Sequence, residues 1–165
     1  MFRAIKAFTL LEMMAAICVV LILVALAFPA FQKITPTAER IACINNLKNL
    51  RVAFSAYATE GWPQLPKEIA LGSREEEQWW LTKTEKDLGL PKTTWQCPTI
   101  RRLFRSAPEK DRPLIHYLPT PFSGEPNKAN SAGWEKMPWF IEIGNAHGQG
   151  NLLVRQNGTV EPASQ

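Results

Sequence analysis

The sequence predicts an α+β protein in which a long N-terminal α-helix packs on a small antiparallel β-sheet head. Three features predict this architecture. An almost uninterrupted apolar stretch runs from Phe8 to Phe31, a one-sided apolar stripe follows between Cys43 and Tyr57, and short β-rich runs lie near the C-terminus. Most of the 13 prolines come after Gly61, which indicates a head that is rich in loops.

The apolar stretch of residues 8–31 is long enough to cross a membrane. A helix rises about 1.5 Å per residue, so about 20 apolar residues span a hydrocarbon core of roughly 30 Å. Arg3 and Lys6 precede the stretch, which predicts a cytoplasmic N-terminus and a head on the other side of the membrane. Glu12 is its only charged residue. Because a carboxylate at depth costs roughly 2.5–3.5 kcal/mol, Glu12 indicates a function that involves a positively charged partner.

The segment Lys6-Ala7-Phe8-Thr9-Leu10-Leu11-Glu12 resembles the cleavage and methylation motif of type IV pilins and type II secretion pseudopilins. The resemblance implies that residues 1–7 are a leader, that prepilin peptidase cuts between Ala7 and Phe8, and that Phe8 becomes N-methylated. It also implies that Glu12 neutralises the N-terminal amine of an adjoining subunit. Members of the family usually have Gly before the cut, where this chain has Ala7.

The resemblance implies a structural subunit, a pseudopilin or minor pilin. No catalytic residues, cofactor or metal are expected, because the sequence has no glycine-rich phosphate loop after a strand, no His-Glu-x-x-His and no nucleophile elbow. The subunit's partners would be prepilin peptidase, other pilin or pseudopilin subunits in a homo- or hetero-oligomeric filament, and an inner-membrane assembly platform. The subunit would cross the bacterial inner membrane once, with its head in the periplasm. The net charge is +4, but Arg3 and Lys6 supply half of it, so no nucleic-acid partner is expected.

Two simpler interpretations of the N-terminus remain open. An ordinary signal peptide could be cut after Ala25-Leu26-Ala27, or the helix could be an anchor that is never processed. In either case the alternative function is a secreted or membrane-anchored binding domain that does not polymerise. A charge at Glu12 is unfavourable at the start of a signal peptide's apolar region.

Residues 32–60 predict an amphipathic continuation of the helix. Pro29 and Pro36 each remove a backbone donor, so we expect a bend or local unwinding between them; Pro29 also matches a frequent proline of the pilin family. Gly61, followed by Pro63, is expected to end the helix. The apolar stripe recurs at helical spacing and comprises Cys43, Leu47, Leu50, Phe54 and Tyr57.

Residues 61–165 form the predicted head. Ser73 is expected to cap a short helix over residues 74–81, a second helical piece covers residues 85–88, and residues 95–98 are extended. The basic segment of residues 101–113 is predicted to be a solvated loop or short helix. Strands are predicted over residues 114–118, 138–143 and 151–156, and Asn157-Gly158 then turns the chain into a hairpin with residues 159–161.

Two short matches extend the resemblance into the head. Residues 42–47 and 57–63 look like segments of a subset of pilin-like proteins. His147 followed by Asn157-Gly158 looks like a His-x9-Asp-Gly ending, with Asn in place of Asp. This replacement suits the turn and weakens any idea of a His–Asp pair or a metal there. We expect His147 to hydrogen-bond its own glycine-rich turn.

The cysteines allow more than one arrangement. Cys18 lies in the membrane stretch and is expected to behave as a small apolar residue. For Cys43 and Cys97 we favour two separate buried thiols, with a disulfide as the alternative that an extracytoplasmic location permits. The three spacings do not suggest a zinc site. Pairing Cys97 with His147 as nucleophile and base has no support in their spacing.

Overall fold

The computed structural model describes residues 9–122 and 137–163, with the side chains of residues 28–34 outside that set. The described chain combines helices with a small antiparallel sheet, as predicted. Its helices are α1 (Leu10–Glu60), α2 (Arg74–Leu88) and α3 (Pro98–Leu103), and its strands are β1 (Tyr117–Pro119), β2 (Pro138–Glu142), β3 (Leu152–Arg155) and β4 (Val160–Pro162). The chain divides into two compact units, Met1–Thr37 and Ala38–Gln165, so the boundary lies inside α1.

Helix α1 is 51 residues long and is helical through both Pro29 and Pro36. The predicted local unwinding between these prolines is therefore wrong. Each proline removes one hydrogen bond, while the neighbouring turns keep theirs and hold the helical backbone. A bend at Pro29 stays a prediction. At the other end, α1 stops as expected at Gly61, whose φ of 126° is unfavourable for other residues and whose N–H donates to the Tyr57 carbonyl at 2.9 Å.

Helix α2 is one helix where the sequence predicted two pieces. Ser73 caps it as expected, because its side chain accepts a hydrogen bond from the Glu76 N–H at 3.2 Å. The residues of the predicted gap, 82–84, are helical, and the buried Thr84 hydroxyl donates to the Trp80 carbonyl at 2.8 Å and accepts from the Trp95 indole N–H at 3.2 Å. Gly89 then takes a left-handed conformation, with φ 62°, and ends α2.

The four strands form an antiparallel sheet in the order β1-β2-β3-β4. The predicted hairpin at Asn157-Gly158 is confirmed, since Val154 pairs with Val160 and the Arg155 N–H donates to the Thr159 carbonyl at 3.0 Å. Strand β1 begins three residues later than predicted. The backbone N–H groups of Leu114 and His116 are already used, by the Glu77 carboxylate at 2.9 Å and the Trp95 carbonyl at 2.7 Å.

The predicted stripe on the second half of α1 is buried in the core of the head. Phe54 is at its centre: its ring centroid lies 4.7 Å from Phe140 of β2 in an edge-on contact and 5.9 Å from Trp95. Trp95 ends a short 3₁₀ turn over Lys92–Trp95, and α3 starts at Pro98, so the extended piece predicted for residues 95–98 is limited to Gln96 and Cys97. This half of α1 is therefore part of the head.

Candidate functional site

Glu12 makes local hydrogen bonds at the first turn of α1. Its carboxylate accepts from the Thr9 backbone N–H at 2.9 Å and from the Thr9 hydroxyl at 3.0 Å, and the Thr9 hydroxyl accepts from the Glu12 N–H at 3.3 Å. This is a capping box, which the Thr-x-x-Glu spacing before an apolar run could have predicted. Glu12 thus has a structural role at the helix start in addition to any role in assembly. Ala7 and Phe8, the expected cleavage site, lie outside the described residues.

The start of α1 is an exposed apolar rod. Within the described part of the chain, Leu10–Ala27 is the segment that is long and apolar enough to cross a membrane, and none of it is buried. Large apolar surfaces of this kind are found where a protein meets lipid or another protein. By length and composition the segment is consistent with a membrane anchor or with a signal sequence.

A second group of candidate residues lies inside the head, where α1 enters it. Cys43 of α1 and Cys97, which precedes α3, form a disulfide with a Cα–Cα distance of 5.0 Å. Our preference for two separate thiols is therefore wrong. Both residues are fully buried, because Cys43 lies on the apolar stripe of α1 and the Cys97 segment packs directly over that stripe.

The disulfide has two ionisable neighbours. The His147 Nε2 atom lies 3.5 Å from the Cys97 Sγ and 3.3 Å from the Glu142 Oε1. The expectation that His147 only ties its own turn is wrong, since it contacts residues of two other segments. Asn157 does serve the turn, as its side chain accepts from the Thr159 N–H at 2.9 Å.

Glu142 is not among the residues predicted from the sequence, although its position on a predicted strand gave a signal. Glu142 lies two residues after the core residue Phe140 on β2, so it belongs to the same face of the strand. Its side chain is completely buried, and within the described chain neither carboxylate oxygen makes a hydrogen bond of normal geometry. A buried acid on the inner face of a strand is rare without a partner, and here the His147 Nε2 atom lies 3.3 Å from its Oε1.

The electrostatics of this pair favour neutral forms. Burial raises the pKa of Glu142 to about 7, although the Leu152 N–H and the Arg40 guanidinium favour its charged form. Burial also lowers the pKa of His147, an effect that Arg40 strengthens and Glu39 opposes. Cys97 cannot act as a nucleophile with His147 as its base while the Cys97 sulfur is in the disulfide.

His116 supports the Cys97 segment from the other side. This buried side chain accepts the Cys97 backbone N–H through Nδ1 at 2.8 Å. Burial lowers the pKa of His116 to about 4, although hydrogen bonds to the backbone at Cys97 and Pro113 favour its protonated form. The neutral ring therefore predominates at neutral pH and leaves Nδ1 free to accept.

The basic segment of residues 101–113 borders a groove of about 610 Å³. Two of its arginines bind the protein itself: Arg102 pairs with Glu39 at 2.8 Å, and Arg112 donates to the Ala107 carbonyl at 2.8 Å. Arg74 of α2 also reaches across to the Arg112 carbonyl at 3.1 Å. These contacts fit the expected solvated segment, whose arginines hold short turns in place.

Comparisons of this chain with family models, curated proteins and solved structures gave no match. A functional assignment therefore depends on the residues themselves. Two arrangements are available: an exposed apolar helix with Glu12 in its first turn, and the buried cluster of Cys43, Cys97, Glu142 and His147.

Proposed function

We propose that this chain is a type IV pilin-like subunit, a pseudopilin or minor pilin that prepilin peptidase processes and that assembles into a filament. The observation that carries the proposal is the position of Glu12. It lies in the first turn of an exposed apolar helix, five residues after the Ala7 that precedes the expected cut. A plain membrane anchor could form the same cap with Gln, so the charge of Glu12, which is costly at depth in a membrane, is what assembly would explain.

The mechanism we propose is lateral packing of α1 helices. The segment Leu10–Ala27 has apolar side chains on every face, so it can be surrounded by lipid before assembly and by equivalent helices afterwards. Cleavage after Ala7 would create an amine on Phe8. In the filament core, Glu12 of one subunit would pair with the Phe8 amine of another, since leaving one partner of a buried pair unpaired costs about 3–5 kcal/mol.

The capping box makes a sharp test possible, because the cap and the charge can be removed separately. Glu12→Gln removes the charge and keeps an oxygen that can accept the Thr9 N–H, whereas Thr9→Ala removes the cap hydroxyl and keeps the charge. We expect Glu12→Gln to enter the membrane and to be lost from filaments, and Thr9→Ala to assemble. Membrane fractions and sheared filaments from cells with the assembly machinery, probed for each variant, give both quantities.

Other results would point elsewhere. Normal incorporation of Glu12→Gln would sink the charge-pairing mechanism, and a defect in Thr9→Ala alone would mean that Glu12 acts only as a cap. Absence of wild type and both variants from filaments, with membrane amounts that do not depend on prepilin peptidase, would favour a membrane-anchored binding domain that does not polymerise.

The mature N-terminus provides an independent test. Intact-mass analysis of protein from membranes with active prepilin peptidase should give a chain that starts at Phe8 and carries one additional methyl group. A chain that starts at Phe28 would instead identify an ordinary signal peptide and remove Glu12 from the mature protein. An uncut Met1 terminus would identify a simple anchor.

A further inference from the structure

We propose that the Cys43–Cys97 pair, once reduced, forms a four-ligand zinc site with His147 and Glu142. The four side chains come from α1, the segment before α3, the end of β2 and the loop that follows β2. Their ligand atoms all lie within 4.8 Å of one another. The head would then have two alternative cross-links between α1 and its core, a disulfide when oxidised and a zinc ion when reduced.

The distances suit tetrahedral zinc. Zinc bonds of 2.0–2.3 Å give a tetrahedron with edges of roughly 3.3–3.8 Å. Two edges already have this length: Cys97 Sγ to His147 Nε2 is 3.5 Å, and His147 Nε2 to Glu142 Oε1 is 3.3 Å. The edge between the two sulfurs is a covalent bond, so it must first be reduced, and the two sulfurs must then move apart to about 3.8 Å to bind one zinc ion.

The types of ligand atom and the burial of Glu142 both favour binding of a cation. Two sulfurs, an imidazole nitrogen and a carboxylate oxygen are the ligand types that zinc takes in proteins. Glu142 is the independent observation, because its carboxylate is completely buried, faces the disulfide and histidine, and has no hydrogen bond of normal geometry in the described chain. A desolvated carboxylate is costly, and a bound cation would compensate for it.

The charged residues of α1 near the cluster are also compatible with a bound zinc ion. Two thiolates and one carboxylate around a divalent ion leave one net negative charge, and the Arg40 guanidinium acts electrostatically on both Glu142 and His147. Glu39, the neighbouring acid, is held away by other contacts: its carboxylate accepts from Thr99 at 3.0 Å and from Arg102 at 2.8 Å. Because the Glu39 carboxylate is engaged elsewhere, the proposed zinc ligands are the four side chains of the cluster.

The exchange balances chemically. A dithiol reductant gives two electrons and two protons to the Cys43–Cys97 bond, which breaks to two thiols, and the reductant becomes a disulfide. Zinc then binds the two sulfurs as thiolates and displaces their protons. Because a sulfur in the disulfide is not a thiolate, the oxidised chain cannot offer this site, and disulfide formation and zinc binding exclude each other.

Metal titration of the purified full-length protein in detergent micelles tests the proposal. The experiment uses a Cys18→Ser background, so that only Cys43 and Cys97 carry thiols, and compares the oxidised chain with the chain reduced under anaerobic conditions. We expect the reduced chain to bind one equivalent of Zn²⁺ and the oxidised chain none. Titration with Co²⁺ should give the absorption of tetrahedral cobalt together with thiolate-to-metal charge transfer.

Ligand variants decide whether all four side chains take part. We expect His147→Ala and Glu142→Ala to weaken zinc binding by at least about 100-fold. Glu161→Gln, at an acid on β4, which is not adjacent to β2, should leave it unchanged. Equal affinity in all three variants would reduce the site to a pair of thiols and overturn the proposal.

Two further results would also overturn it. One is a reduced wild-type chain that binds no more zinc than Cys43→Ser with Cys97→Ser. The other is a head whose native tryptophan fluorescence is lost on reduction and does not return with zinc. Filament assembly does not enter these measurements, so their failure leaves the proposed function intact.

Discussion

The disulfide should be a main source of the head's stability. Cys43 and Cys97 are 54 residues apart in the sequence, so their bond closes a large loop of the unfolded chain. Loop-closure entropy for about 54 residues is roughly 14 cal/mol/K, which corresponds to about 4 kcal/mol at 25 °C. We therefore expect the reduced protein, in the absence of zinc, to lose about 4 kcal/mol of its free energy of unfolding.

Urea unfolding followed by tryptophan fluorescence measures this loss. All six tryptophans belong to the head sequence, so the signal reports the head even when the full-length protein is held in detergent micelles. With a slope of about 2 kcal/mol per molar urea, the midpoint should fall by roughly 2 M on reduction with a chelator present. Reduction keeps both sulfurs in the core and so avoids the cavity that alanine substitutions would add.

The control is Cys18→Ser, which should leave the midpoint of the oxidised protein unchanged because Cys18 lies in the exposed apolar part of α1. A midpoint shift below about 0.5 M on reduction would refute the reasoning from loop length. It would mean that the contacts of the head already keep the two ends of the loop together in the unfolded ensemble.

Two further predictions concern the buried polar groups of the head. Thr84→Val should cost about 1–3 kcal/mol, because the Thr84 hydroxyl accepts the buried Trp95 indole N–H at 3.2 Å, whereas the exposed Thr82→Val should cost little; urea midpoints compare the two. His116, with a pKa of about 4 when folded and 6.5 when unfolded, takes up its proton more readily in the unfolded chain. Its stabilisation is complete above pH 6.5 and is lost as the pH falls towards 4, so wild type should lose up to about 3 kcal/mol relative to His116→Gln across that range. A constant difference in unfolding free energy would contradict this.

Local patterns in the sequence were sufficient to predict most of the helices and strands. The helical spacing of Cys43, Leu47 and Phe54 predicted the buried face of α1, and Asn157-Gly158 predicted the β3–β4 hairpin, because each pattern depends on neighbouring residues. The errors came from tertiary contacts. Nothing near Thr84 in the sequence announces that its hydroxyl accepts a hydrogen bond from the Trp95 indole N–H, which lies outside α2.

Local sequence patterns could not predict the cluster of side chains around the disulfide. Its members come from four segments, and the longest separation, from Cys43 to His147, crosses most of the head. Spacing rules for metal sites look for ligands that are close in sequence, so they could not bring these side chains together. Glu142 alone was within reach, since the alternation of β2 puts it on the face of Phe140.

The disulfide lies at the first buried turn of α1 in the head, and both of its cysteines belong to the unit Ala38–Gln165. Cys43 is the first fully buried residue of α1 within the unit Ala38–Gln165, and Leu47, Leu50 and Phe54 follow it into the core. A helix under load from its N-terminal side would begin to separate from the head at that first turn, because local opening starts at the end of a packed element. A covalent bond at Cys43 closes this route, because the first turn cannot leave the core without taking the Cys97 segment with it. If α1 carries load during the filament assembly proposed above, the cross-link lies at the first buried turn of α1 in the head.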